Sequence, residues 1–347
     1  MQFIKTTLKA GKEKAIQRRH PWIFSGAIAH FASTPKDGDW VEIYTAKNQF
    51  LATGYFAPGS IAIRIVSFNK IESIENWFEK ILNNAIALRE NAGIVHLKNT
   101  NIYRLLFAEG DGVPGLIVDK YGDTLVMQCH TMGMYKNRKT FAEILANKTG
   151  VKNIYDKSAE SLKGQDIENG YLFGSDSNEI VEEYGNQFSI DWEEGQKTGF
   201  FIDQRENRKR VADFSKNKKV LNVFCYTGGF SIYALNAEAK EVHSVDISAK
   251  AMELTDKNVA LSKHPERHQS FTADVFDFLK NMDEDYDIVI LDPPAFAKSK
   301  RKTHNAMMAY KRINAMALKK MKSGSVLFTF SCSQNISTQV FTDAVKD

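Results

Sequence analysis

From about Glu193 onward the sequence alternates short apolar runs with helix-forming stretches, and this rhythm constrains the fold more than any other feature. Parallel strands can be joined only by crossovers of helical length, so strand, helix, strand, helix reads as a parallel sheet built from βαβ units. The strand KVLNVF runs into CYTGGFSIYALNAEAK, which puts Gly228 and Gly229 at the turn that opens a helix. The next strand, EVHSVD, ends in Asp246, 18 residues after Gly228 and near the spacing at which a carboxylate reaches both hydroxyls of a bound ribose. HQSFTAD ends near Asp274, and YDIVILDPPAF ends in Asp292 followed by two prolines. Proline cannot donate to a sheet ladder, so Pro293 and Pro294 turn the chain away and leave Asp292 at the carboxyl end of its strand, where parallel sheets bind ligands.

Three carboxylates closing three successive strands favour an adenosine-bearing cofactor. Taken singly, each is also an ordinary turn or N-cap residue, Asp274 above all. The turn lacks the GxGxxG spacing that brings a backbone up to a pyrophosphate, and the chain has no GxxxxGK[ST], which argues against dinucleotides and ATP. S-adenosylmethionine (SAM) carries no phosphate. Its sulfonium is positive, and carboxylate or carbonyl oxygens suit it electrostatically. Asp246 would then take the ribose, Asp274 the adenine edge, and Asp292 would stand where a methyl acceptor sits.

At 347 residues the chain exceeds what one hydrophobic core usually organises. With 43% hydrophobic residues and no apolar run long enough to cross a bilayer, the composition fits a globular protein of the cytoplasm, and the N-terminus lacks the apolar stretch of a secretory signal. Three scattered cysteines, Cys129, Cys225 and Cys332, build neither a disulfide framework nor a zinc site, so no metal is expected. A net charge of +4 permits a nucleic-acid partner without demanding one. Residues 1–70 place WVEIYTA, FLATGYF and IAIRIVSF between turn signals, which predicts a small all-β unit. Residues 71–93 read as a helical connector, with Ile74, Trp77, Phe78, Ile81 and Leu82 at helical spacing. Residues 94–192 mix strands such as GLIVDKY with a helix around NRKTFAEILANKT, an α+β signature.

The stretches EEGQKTGFFIDQRENR, LNVFCYTGGFSIYAL, SVDIS, LDPPAFAKSK, AYKRINAMAL and LFTFSCS resemble class I SAM-dependent methyltransferases, and more narrowly the RlmI type of bacterial large-subunit ribosomal RNA cytosine-5 methyltransferase. Upstream, GKEKAIQRRHPWIFSGAI is similar to the start of that family's RNA-binding PUA domain, and AEGDGVPGLIVDKYGD to the opening of its central domain. The resemblance implies a multidomain α/β protein: a PUA-like β-barrel, a central α+β domain and, over residues 193–347, a Rossmann-like methyltransferase domain. It implies a SAM cofactor and a large-subunit ribosomal RNA substrate. It extends the expected cofactor contacts to Phe200, Phe201, Gln204 and Arg205, the two phenylalanines reading equally as core, to Phe224, Tyr226 and Thr227 beside Gly228 and Gly229, to Ile247 and Ser248, and to Val275 and Pro293.

Carbon 5 of a pyrimidine is too poor a nucleophile to accept a methyl group directly, and a thiolate added at carbon 6 pushes electron density onto it. Cys332, at the end of the apolar run SVLFTF, would be that thiolate, with Asp292 holding the base edge. Cys129 reads as packing. Cys225 reads as lining the cofactor pocket without a catalytic role. Some related enzymes carry a second cysteine after the proline of the aspartate motif, whereas here Pro294 is followed by Ala295, so the group that removes the carbon 5 proton is unassigned. Uracil-5 methylation would use the same cysteine. The DPP triplet also resembles the motif of exocyclic-amine methyltransferases, so that target, guanine included, stays open, as do an RNA-binding protein without catalysis and a nicotinamide-dependent oxidoreductase.

For RNA the candidates are Arg18, Arg19 and His20 with Trp22, a mixture of cation and aromatic suited to flexible strands. Lys197, Lys298, Lys300 and Arg301 are further candidates for phosphates, and Arg208 is a candidate to face the nucleic acid. The chain stops at VFTDAVKD, inside the helix expected after Cys332, so the methyltransferase domain is expected to lack its last β-hairpin. An edge left open there can pair with another chain, and a homodimer is an association the sequence leaves open.

Overall fold

A computed structural model of the chain describes residues 3–175, 180–283, 285–297, 301 and 303–346. They fall into two compact units, residues 3–184 with 190–202 and residues 185–189 with 203–346. The first unit opens with β1 (Ile4–Leu8), the single-turn α1 (Lys14–Gln17), β2 (Trp22–Phe24), β3 (Ile28–Phe31), β4 (Trp40–Tyr44), β5 (Phe50–Phe56) and β6 (Ile61–Ser67). The six strands form one sheet in the order β2-β6-β5-β4-β1-β3, antiparallel except where β1 runs beside β4. One face of β4 sends Val41 and Ile43 into a core with Leu8, Ile23, Ile63 and Ile65. The turn of helix at α1 departs from the all-β expectation because Ile16 is drawn into that same core.

The chain continues through α2 (Ile74–Asn91), β7 (Ile102–Phe107), β8 (Leu116–Tyr121), β9 (Thr124–Cys129), α3 (Met132–Lys136), α4 (Arg138–Thr149), β10 (Asn153–Asp156), β11 (Gly170–Phe173) and β12 (Ile180–Glu183). The second sheet runs β11-β10-β9-β8-β7. Ser73 starts α2 by accepting the Asn76 N–H at 3.1 Å. Ile74, Trp77, Phe78, Leu82 and Ala85 then form a buried stripe at helical spacing. Phe78 stacks on Phe141 of α4 at 4.1 Å, while Trp77 meets Trp40 edge-on and donates its indole N–H to the Val66 carbonyl at 3.1 Å. The α2 stripe thus lies in one core with residues of both sheets.

The second unit contains β13 (Asn186–Ser189), α5 (Arg205–Ser215), β14 (Lys219–Val223), α6 (Gly229–Asn236), β15 (Glu241–Asp246), α7 (Ala249–Val259), β16 (His268–Thr272), α8 (Val275–Asn281), β17 (Ile288–Leu291), α9 (Thr303–Lys320), β18 (Val326–Thr329) and α10 (Thr338–Lys346). Its sheet is parallel throughout, in the order β16-β15-β14-β17-β18, so the helices between strands cover its faces. The runs VLNV and IVIL are buried along their whole length, as a two-sided cover requires. Register decides what the carboxyl edge presents. Val223 is level with both Val245 and Leu291, and Leu291 is level with Thr329. The residues that follow these strands therefore emerge side by side, and the crevice outside such strand ends is where open parallel sheets bind ligands. No helix among the described residues is long and apolar enough to cross a membrane.

Candidate active site

The turn after β14 is wound tightly. Phe224, Tyr226 and Gly228 all have positive φ, at 59°, 50° and 76°. Two non-glycine residues in that region store strain of about 1–3 kcal/mol each, a cost that recurs where a backbone must meet a ligand. Gly228 has no substitute here, since a Cβ on it would lie 2.9 Å from the Thr255 methyl. Asp246 holds the turn from below: its Oδ2 accepts the Tyr226 N–H at 3.1 Å and its Oδ1 the Ser248 N–H at 3.0 Å. Thr255 and Asn258 of α7 tie down the carbonyls of Tyr226 and Thr227 at 2.8 and 3.0 Å. Ile247, next along, is 69% exposed. Asp274 caps α8, its Oδ1 accepting from Phe276 N at 2.9 Å and Asp277 N at 3.1 Å, so the N-cap reading holds for that oxygen.

Asp292 sits half-buried after β17, and Gln204 donates its side-chain amide to Oδ2 at 2.9 Å. Burial, reinforced by the nearby Asp203 carboxylate, pushes the Asp292 carboxyl up to about 6, against the opposing pull of Gln204 and Arg208. An acid form is thus within reach near neutrality. Cys332 is exposed, and its Sγ lies 3.7 Å from the carbonyl oxygen of Pro293, the residue directly after Asp292. The other two cysteines are buried. Cys225 differs from expectation: its sulfur points into α7, 3.5 Å from Met252 Sδ and 3.8 Å from Thr255 Oγ1, because the tight turn aims that side chain inward.

SAM fits the chemistry of this edge. The strand ends offer the carboxylates Asp246, Asp274 and Asp292, which suit hydroxyls, amines and a cation and would repel a phosphate. A family model for S-adenosylmethionine-dependent methyltransferases matches residues 156–341, and one for PUA-like domains matches residues 7–68. The chain is 38% identical to ribosomal RNA large subunit methyltransferase I of Aeromonas hydrophila, covering 98% of this chain and 88% of the relative. It is 37% identical to the protein of that name from Shewanella denitrificans, covering 99% and 89%. The chain belongs to the ribosomal RNA large subunit methyltransferase I family. A solved Streptococcus mutans chain, provisionally described as a SAM-dependent methyltransferase, shares the fold with a TM-score of 0.80 at 23% identity, over 99% of this chain and 90% of that one. A chain provisionally described as a methyltransferase and solved in complex with SAH superposes with a TM-score of 0.81, also at 23% identity, over 99% and 90%. SAM is accordingly the cofactor of this ribosomal RNA large subunit methyltransferase I family member, and its fold is the PUA-like, central and Rossmann-like series.

The remaining candidates of this family member divide by placement. Thr227 and Val275 are buried, Val275 in the core under the sheet, which leaves it only backbone for a ligand. Gly229 opens α6, and a Cβ there would lie 3.2 Å from the Arg208 side chain. Arg208 corrects an expectation: it is 2% exposed, with its guanidinium 5.9 Å from the Tyr233 ring, and faces no solvent. Its aliphatic stem lies against Gly229 of α6, and its charge pulls on the Asp292 carboxyl. Arg205 is buried at the start of α5, and Phe200 is buried while Phe201 is half-buried. Arg18 and His20 are exposed, Arg19 stacks over Phe68 at 4.7 Å, and Trp22 donates its indole N–H to Glu109 at 3.1 Å. Phe24 beside them is 50% exposed and went unremarked in the sequence. Lys197 and Arg301 are exposed, whereas Lys298 and Lys300 lie outside the described residues. Sequence reasoning also passed over Asp203, whose only signal was its place next to Gln204.

Proposed function

We propose that this chain transfers a methyl group from SAM to carbon 5 of a cytosine in large-subunit ribosomal RNA through a covalent adduct on Cys332. The observation that carries this reading is the exposed Cys332 sulfur 3.7 Å from the backbone of the Asp292–Pro293 pair. The thiolate adds to carbon 6, breaking the carbon 5–carbon 6 double bond and moving its electron pair toward carbon 5 and the ring nitrogen. Asp292, with its carboxyl raised to about 6, lends a proton or hydrogen bond to that nitrogen and so stabilises the charge that develops there. Gln204 fixes the direction of the carboxyl. Bound SAM supplies the methyl group as an electrophilic sulfonium. Once the methyl is on carbon 5, the carbon 5 proton passes to solvent water, its bonding pair re-forms the carbon 5–carbon 6 double bond as the Cys332 thiolate leaves, and the proton lent by Asp292 returns to that carboxylate. The flanking PUA-like match and the names of the relatives support ribosomal RNA as the acceptor.

Cys332→Ala tests the scheme. Methyl transfer to protein-free large-subunit RNA is expected to fall at least about a thousandfold while SAM affinity, by calorimetry, changes less than about threefold. RNA containing 5-fluorocytidine should trap the parent protein covalently and leave the alanine variant free. An alanine variant that still methylates overturns the adduct, and digestion of the product RNA to nucleosides decides among 5-methylcytidine, 5-methyluridine and an exocyclic amine.

A further inference from the structure

The question that SCS poses, a cysteine between two serines, has an answer in α9. Ser331 donates its hydroxyl to the Tyr310 oxygen at 3.0 Å, and the Tyr310 and Ser333 hydroxyls are 2.9 Å apart. With Ser331 donating, Tyr310 spends its own proton on Ser333, whose oxygen also accepts the Ala297 N–H at 3.4 Å. The Ser333 N–H closes back on Ser331 Oγ at 3.3 Å, and Asn335 donates its side-chain amide to the Ala297 carbonyl at 3.4 Å. One phenol therefore ties together α9, the chain after β18 and the end of the DPPAFA segment. Tyr310 is fully buried and Ser333 is 5% exposed. The Tyr310 ring is wedged between Phe296 at 4.8 Å and Phe341 at 5.1 Å. Two serines two residues apart turned inward leave the residue between them facing outward, and Cys332 is the exposed one.

We infer that Tyr310 is a positioning residue for Cys332, acting through Ser331 and Ser333 to hold the sulfur at the DPP edge. The inference rests on the thiolate reading of Cys332. A hydrogen-bonded phenol in this role sets the direction of attack without touching the base, and catalytic groups lose rate steeply when misplaced by about 1 Å. It also gives a purpose to the tyrosine in AYKRINAMAL, which the cofactor and base contacts leave unexplained.

Tyr310→Phe keeps the ring between Phe296 and Phe341 and removes only the hydroxyl. Expected are a kcat about 10-fold to 30-fold lower, a KM for RNA and a Kd for SAM within twofold, and an alkylation rate of Cys332 by iodoacetamide that does not fall. That split separates geometry from folding, because a loosened domain would expose Cys129 and Cys225 to alkylation as well, read by mass spectrometry of the peptides. Ser333→Ala cuts the same chain of bonds from the other side. It should lose a similar factor, and the double variant should lose little more than either single one. If Tyr310→Phe itself exposes the buried cysteines, Ser333→Ala decides by the same measurements. A variant with intact buried cysteines and kcat within twofold of the parent, while Cys332→Ala is inactive, overturns the positioning role and leaves the thiolate standing. An active Cys332→Ala overturns the reading beneath it.

Discussion

Carboxylates do different work in the two units. In the first, the Asp111 side chain is buried and meets the Arg89 guanidinium with both oxygens, at 2.5 and 2.7 Å, while also accepting the Phe107 N–H at 2.6 Å. Asp119, fully buried, takes two bonds from Arg104 at 2.8 and 3.0 Å and one from Thr198 at 2.6 Å. Each of these two charges is met by an arginine. At the edge of the parallel sheet the bonds to Asp246, Asp274 and Asp292 come from backbone N–H groups and from the Gln204 amide. A neutral donor fixes the direction of a carboxylate without cancelling its charge, although at Asp292 the Arg208 guanidinium also pulls on the carboxyl. We propose that the same residue type is consumed by ion pairing in Asp111 and Asp119 and kept for a ligand at the sheet edge.

The largest effect that tests this contrast belongs to the first unit. Asp111→Asn leaves the Arg89 guanidinium buried and uncompensated, and should cost about 3–5 kcal/mol. The four tryptophans, Trp22, Trp40, Trp77 and Trp192, all lie within that unit, so urea unfolding followed by tryptophan fluorescence reports on it alone. A loss under about 1 kcal/mol would break the comparison.

In the second unit the sign reverses. The Asp292 carboxyl titrates near 6 when folded against an ordinary value of 3.8, so folding is penalised for keeping it ionised. Below 3.8 both states hold the proton and the penalty vanishes; it grows as pH rises and is complete above 6. Asp292→Asn should therefore stabilise the second unit by about 1–2 kcal/mol at pH 7, after allowing for partial access to water, and by much less near pH 4. Scanning calorimetry at the two pH values reads this in the transition that tryptophan fluorescence does not follow. The same variant should lose methyl transfer, and a site that is less stable with its functional group than without it is the expected trade. A destabilised Asn variant would show that Asp292 belongs with Asp111.

How much of this was legible follows from the range of the interactions involved. The parallel sheet could be read because buried strands leave unbroken apolar runs, and the turn at Gly228 because positive φ and a strand-end aspartate leave local marks. Tyr310 could not be assigned a role, since its partner Ser333 is 23 residues away and nothing in AYKRINAMAL says which face of α9 meets the strand end. Arg208 was misread for a related reason. A cation in a charged stretch defaults to solvent, and only the crossing of α5 over Gly229 buries it. Cys225 shows the limit of reading a turn: its neighbours identify the loop, but the direction of its sulfur is set by α7, 27 residues on. Asp274 was the position where two local readings, a cap and a cofactor contact, competed most evenly.

That ambiguity gives the finest test of the comparison. Asparagine caps a helix about as well as aspartate, so Asp274→Asn should preserve the bonds to Phe276 and Asp277 and shift stability by less than about 0.5 kcal/mol. It removes the charge nonetheless. If the carboxylates of this edge are held for a ligand, SAM affinity measured by calorimetry should weaken about threefold to tenfold in the Asn variant with the melting temperature unchanged. Asp274→Ala should show the same loss of affinity plus about 1 kcal/mol of stability, the cost of an empty cap. Equal SAM affinity in parent and Asn variant would mean that Asp274 is wholly consumed by α8, and would move it to the structural side of the contrast, beside Asp111 and Asp119.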